Sequence, residues 1–264
     1  MQPVFGDLLR EWRRRRHLSQ LELSSRTGVS SRHLSYLETG RSSPSRQMIL
    51  YLADHLDIPL RERNALLLAA EYAPVYSHRA LDDNDSDMRY VREAIERLLA
   101  SHGPYPAFVI DRHWDVVARN SSTALLLDGV EPKLLNPPVN ALRLALHPAG
   151  LAPRIVNLTE WSAYLLRRID HQVLAGADPA VAALADEVRG YPGVAGPGVG
   201  TASLADGVFV PLHIRSGGRE LRFLNMVATF GTALDVTAAE LVIEAFYPAD
   251  PATSLALPVA LKNV

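Results

Sequence analysis

The sequence predicts an α+β protein in two parts: an all-α unit of five helices, then a larger domain that combines a five-stranded antiparallel sheet with helices. Three observations carry this. Apolar residues recur at helical spacing over residues 3–71, the periodicity stops across "APVYSHRALDDNDSD" at 73–87, and beyond it period-two stretches alternate with further helical ones. At 264 residues with 48% hydrophobic content, the chain can build a core for each part. The expected divisions are a helical domain at 1–73, a linker at 74–87, a second domain at 88–254 and a C-terminal tail at 255–264.

In the first part, Val4, Phe5, Leu8, Leu9 and Trp12 form one face of a first helix. Leu18, Leu21 and Leu23 begin a second, with Gln20 in its first turn, and the chain hinges at Thr27-Gly28-Val29. Ser30 caps a third helix, Leu34 and Leu37 share its inner face, and Gly40 stops it. Ser43-Pro44 reads as cap and first turn of a fourth helix carrying Ile49, Leu52, Ala53 and Leu56, and residues 60–71 supply the fifth.

Beyond the linker, a helix at about 87–101 turns Val91, Ile95, Leu98 and Leu99 inward. "AFVIDRHWDVVARN" holds two short strands around a turn at Asp111-Arg112-His113, and a helix opens at Asn120-Ser121. Asn157 and Glu160 form an N-x-x-E start to a long helix on which Trp161, Leu165, Ile169 and Val173 repeat every four residues. Asp178-Pro179 starts another helix that ends near Gly190. "YPGVAGPGVGTASLADG" from Tyr191 is a glycine-rich surface loop; it lacks the Lys-Ser and the strand-to-helix context of a phosphate-cradling loop. Three strands at 208–214, 220–230 and 240–247 complete the sheet, the first two joined by a Ser216-Gly217-Gly218 turn.

Charge and composition narrow the partners. The net charge of -2 hides an asymmetry: residues 1–46 hold nine Lys/Arg against four Asp/Glu, and residues 80–264 hold fifteen against twenty-one. A polyanion therefore belongs to the N-terminus. There is no cysteine, which excludes disulfides, thiolate metal sites and cysteine nucleophiles. With no apolar run near the roughly 20 residues of a membrane span and no signal pattern, the expected location is the cytoplasm.

The second and third helices carry the parts of a DNA-reading pair. Ser24 is small where two helices would touch, Gly28 can take the positive φ of a tight turn, and Leu34 anchors the second helix. A generic helical hairpin needs no more than this. Ser31, Arg32, Ser35 and Tyr36 add a polar outer face whose hydroxyls and guanidinium can address base edges. The stretch "LSQLELSSRTGVSSRHLSYLETGRSSPS" resembles the Xre/Cro-type helix-turn-helix over about residues 5–70, with Ser24 in place of the commoner alanine. That resemblance implies base contacts from Ser31, Arg32 and Tyr36, and backbone contacts from Gln20 and Arg41. Arg13 to Arg16 fit either a solvated helix end or a phosphate contact by one or two of them. A module reading so few base pairs is expected to work as a homodimer on a double-stranded DNA operator.

In the second part, "FVIDRHWDVVARNSSTALLL" resembles the start of a PAS sensor domain. A longer likeness runs through "AAEYAPVY", "PYPAFVIDRHWDVVARN", "LHPAGLAPRIVNLTEW" and "FGTALDVTAAELVIEAFYPAD", which are similar to the MmyB-like regulators over about residues 5–254. In that family an Xre-type domain precedes a PAS-like ligand-binding domain, and the resemblance implies a cytoplasmic transcription regulator with a small, fatty-acid-like ligand. Trp114, Trp161, Leu165 and Phe223 are the apolar pocket candidates, with His147, Arg154 and Asn157 to meet a carboxylate. Each has a structural alternative: core packing for Trp161 and Leu165, an ion pair for Arg154, a loop at His147-Pro148, and a turn for Asn120, which is left out of the pocket set. No catalytic residue is assigned, because Asp111, His113 and His147 lack the surrounding motif of a hydrolase, zinc enzyme or nucleotide-binding protein. No metal or cofactor is expected, and a haem or flavin sensor ranks below a domain that only dimerises or binds a protein. Coupling between sensor and DNA is assigned to the helix at 87–101, through Ile95 and Leu98.

Overall fold

The computed structural model describes residues 4–82, 86–176, 178–196 and 209–260. The chain divides into two compact units, one of Met1–Arg79 with Leu174–Gly176 and Thr232–Ala239, the other of Ala80–Val173, Ala177–Gly231 and Glu240–Val264. Much of the glycine-rich stretch after Tyr191, and the predicted strand start at 208, lie outside the described residues.

The first unit contains α1 (Phe5–Arg15), α2 (Gln20–Thr27), α3 (Ser31–Glu38), α4 (Arg46–His55) and α5 (Leu60–Ala69). Their starts follow side-chain caps. Ser19 and Glu22 form a reciprocal capping box at α2, which the sequence encodes as S-x-x-E. Ser30 Oγ accepts from His33 N at α3. At α4 the cap is Ser45, not the predicted Ser43: Ser45 Oγ accepts from Met48 N, three residues on, while the Pro44 carbonyl takes the Tyr72 hydroxyl. Inward residues Leu9, Trp12, Leu23, Leu34, Leu37, Ile49, Leu52 and Leu67 are all nearly inaccessible and form one core. Burying each such side chain contributes about 1.5–3 kcal/mol, offset by the entropy of ordering it.

The second unit is built on an antiparallel sheet of β1 (Ala107–Ile110), β2 (Val116–Arg119), β3 (Leu212–Ser216), β4 (Arg219–Thr229) and β5 (Val242–Pro248), in the order β2-β1-β5-β4-β3. Alternation along β1 and β5 splits the faces. Ala107, Val109 and Ile243 pack with Ile95 and Leu99 of α6 (Ser86–Ser101), whereas Ile110 and Phe246 join the main core on the other face. Leu98, predicted inward, is 36% exposed. Asn120 ties the start of β1 to the end of β2: its Oδ1 accepts from Ala107 N, and its amide donates to Tyr105 O and Leu99 O. The turn reading of Asn120 therefore fits its contacts.

The core face is covered by α7 (Ala124–Leu127), α8 (Ala141–Leu146), α9 (Leu158–Ala175) and α10 (Pro179–Arg189), whose Trp161, Leu165, Ile169, Val181 and Val188 it buries. Asp178 Oδ1 caps α10 at Ala180 N, as the Asp-Pro pair predicts. Asn157 does something other than cap α9. Its amide donates to Pro211 O and its Oδ1 accepts from His213 N, so it bonds to β3 and its neighbour instead. Two helices escape the sequence reading: α11 (Val236–Glu240), between β4 and β5, and α12 (Pro251–Ala260), whose Leu257 is fully buried where a tail was expected.

Candidate functional sites

On α3, burial of Leu34 and Leu37 leaves Ser31, Arg32, Ser35 and Tyr36 on accessible positions. Arg32 Nε donates to the Tyr36 hydroxyl at 3.0 Å, with its guanidinium carbon 5.4 Å from the Tyr36 ring centroid. The pair stacks along the helix surface and holds an otherwise mobile arginine in a restricted arc. The turn before α3 works as its residues require: Gly28 has φ +69°, and its amide closes α2 on Ser24 O. Arg41 is exposed just past Gly40, which has φ +70°.

The four arginines of α1 separate by role. Arg13 is buried and forms a two-point ion pair with Glu38, Nε to Oε1 at 2.6 Å and Nη2 to Oε2 at 2.8 Å. Arg15 pairs with Glu11 and lies over Trp12, while Arg16 donates to the Leu56 and Asp57 carbonyls at the end of α4. Arg14 is exposed and has no partner among the described residues. Gln20 joins the same network, its amide donating to Glu38 Oε2 at 2.9 Å, so its side chain is committed within the fold. Burial works against the Glu38 charge, but the hydrogen bonds from Arg13 and Gln20 outweigh it and hold this carboxyl below the usual carboxylate range.

The second unit encloses a cavity of about 260 Å³ between the sheet and its covering helices, lined chiefly by apolar side chains such as Phe108, Trp114, Leu126, Leu142, Trp161 and Leu165. The polar side chains on its wall are Arg119, Thr123, Arg168 and Glu244. Trp114 has φ +69°, a strained value for so bulky a residue. Its indole N–H donates to Gln172, whose amide donates back to the Arg112 carbonyl. Arg168 Nη2 meets Glu244 Oε1 at 2.5 Å, Asn225 donates to Glu244 Oε2, and the Tyr164 hydroxyl donates to Asn225 Oδ1. Burial raises the Tyr164 hydroxyl above its ordinary pKa, which keeps it a donor.

The structure gathers Trp114, Trp161 and Leu165 at the cavity. Phe223 is wholly buried in the surrounding core without forming the cavity wall. The three polar candidates lie elsewhere. Arg154 donates to the carbonyls of Leu125, Leu126, Asp128 and Arg215, a clamp on backbone that leaves it no free fork for a carboxylate. His147 Nδ1 accepts from Ala149 N, and Asn157 serves β3. The polar wall went unseen in the sequence, although Arg168 stands seven residues after Trp161 on the helix face that lines the cavity. Glu244 shares a strand face with Val242 and Phe246, two residues to either side, so an acid at an inward strand position is also readable. Asp111, His113 and Asp115 cluster at the β1–β2 turn, where Asp111 accepts from the His113 and Asp115 amides, His113 meets Asp178, and Asp115 accepts from Asn140. These bonds build the turn that presents Trp114.

Comparison with known families matches both units. Residues 4–66 match the model of a helix-turn-helix domain, and residues 91–258 match the MmyB-like transcription regulator ligand binding domain. No curated protein matches the chain.

Proposed function

Because this chain belongs to the MmyB-like transcription regulators, joining a helix-turn-helix to that family's ligand-binding domain, we propose that it is a DNA-binding homodimer switched by a fatty-acid-like ligand held in the second unit. The cavity is the observation that carries the ligand reading: an apolar space whose wall holds Arg119, an arginine without a partner among the described residues, suits an amphiphile with an anionic end. The strand order β2-β1-β5-β4-β3 supports a PAS-like sensor. Arg32 and Tyr36, with Ser31 and Ser35, read base edges; Arg41 and Arg14 meet phosphates. Gln20 contributes by fixing Glu38. Two half-sites about one helical turn apart would engage the dimer. The ligand must bind the DNA-competent and DNA-incompetent states with different affinities, since equal affinity shifts nothing.

Native mass spectrometry of the purified protein, followed by denaturing extraction, tests this reading. A dimer carrying a lipid-like mass that alters operator binding supports it. An empty protein whose melting temperature is unmoved by a panel of fatty acids overturns the ligand reading and leaves the second unit as a dimerisation or protein-interaction module.

A further inference from the structure

The polar lining of the cavity is uneven in a way that distinguishes among apolar acids. Arg119, Phe108 and Glu244 stand in one cross-strand row, because Phe108 is the register partner of both. Strand spacing puts the two outer backbones roughly 10 Å apart. At one end, Arg119 is exposed on the edge strand and makes no hydrogen bond or ion pair among the described residues. It offers a whole positive charge.

The other end is different. Both Glu244 oxygens are occupied, Oε1 by Arg168 and Oε2 by Asn225. Arg168 lies against the Trp114 and Tyr164 rings, at 5.0 and 5.6 Å from their centroids, bonds Glu244 through Nη2 and also hydrogen-bonds the Tyr164 hydroxyl. A guanidinium has five N–H donors, so donor capacity remains after these two bonds. Its charge is already cancelled: a second carboxylate placed there would face Glu244, whereas a neutral oxygen can accept a hydrogen bond without repulsion.

We infer that the cavity takes an amphiphile with two oxygen functions, an anionic head at Arg119 and a neutral acceptor, a hydroxyl or keto oxygen along the apolar chain, at Arg168. This rests on the ligand reading above and narrows it. An unsubstituted acid fills the same space but lays hydrocarbon against the Arg168 donors, and desolvating donors without a partner is costly.

Binding of hexadecanoic acid, and of its hydroxy and keto derivatives substituted at successive chain positions, is measured by calorimetry on the full-length protein. At least one positional isomer binds about tenfold more tightly than the parent, the worth of a hydrogen bond to a charged group. Replacing the pair with apolar side chains, Arg168→Met with Glu244→Leu, removes that preference while the parent acid still binds. Glu244→Gln keeps the shape but uncancels Arg168, and so shifts preference toward hexadecanedioic acid. Arg119→Gln weakens the parent and its oxygenated isomers by the same factor. Equal affinity for the parent and every oxygenated isomer overturns this inference and leaves the fatty-acid reading standing; no binding by any acid overturns both.

Discussion

Two buried glutamates, one in each unit, face arginine and amide partners of the same kind and end in different situations. Glu38 is 3% exposed, receives Arg13 at two points and Gln20 at a third, and does not line the cavity of the second unit. Glu244 is 4% exposed and receives Arg168 and Asn225, but its arginine forms part of a cavity wall. The first network is closed: the Arg13 Nη1 that Glu38 leaves over donates to the Leu18 carbonyl. The second keeps donors in reserve beside empty space. A buried ion pair is weak evidence for stability by itself, and what it faces decides whether it holds a fold or meets a ligand.

The largest effect that can break this comparison is on stability. Glu38→Gln leaves Arg13 buried without its counter-charge and should destabilise the helix-turn-helix unit by about 3–5 kcal/mol. Glu244→Gln should cost less, since Arg168 can recruit water in the cavity. Urea denaturation of both variants checks the ranking, and an equal or larger loss at Glu244 would remove the distinction between the closed and open networks.

A pH titration sharpens the same point. Glu38 is held below its ordinary value of about 4.3, so between its folded and unfolded pKa values the unfolded chain binds more protons and stability rises with pH. The contribution is complete above the unfolded value and is lost as pH falls through the folded one. The denaturation midpoint of the first unit should therefore drop on acidification below about pH 4, and Glu38→Gln should flatten that dependence. A wild-type profile matching that of the variant would exclude Glu38 as the source.

Local patterns in the sequence carried most of the fold, and long-range polar pairing was what they could not carry. Periodicity located the helices because burial of Leu34, Leu37, Trp161 and Ile169 repeats at fixed short spacing. Arg13 meets Glu38 across twenty-five residues, and no local rule separates it from Arg14 beside it. The pocket candidates divided the same way. Trp114, Trp161 and Leu165 follow from apolar patterning, whereas Arg154 and Asn157 are near them only in sequence and bond backbone instead. The buried face of α12 lies past the last strand, where no strand or helix period marks it out; Leu257 is covered because the main core extends to it.

On the DNA side, the contrast between committed and uncommitted arginines predicts two smaller effects. Among the described residues Arg32 pairs with Tyr36 alone, on the exposed face of α3. Arg32→Ala should weaken binding to the preferred operator by about 1–3 kcal/mol and relax selectivity at one base position, read by titrating an operator and its single-base variants. A uniform loss across all sequences would move Arg32 from base reading to phosphate contact.

The smallest effect tests the arginine row itself. Arg13, Arg15 and Arg16 are each held by partners inside the first unit, while Arg14 has none among the described residues. If Arg14 neutralises one phosphate, Arg14→Ala should lower the slope of log K against log salt by about 0.9 while operator preference and stability stay unchanged. Arg16→Ala should do the reverse: it frees the Leu56 and Asp57 carbonyls at the end of α4, lowers stability and leaves the salt slope alone. Both slopes come from operator binding measured at several salt concentrations. An unchanged slope for Arg14→Ala would make the whole row structural or solvated, leaving phosphate contact to Arg41 and the α3 face.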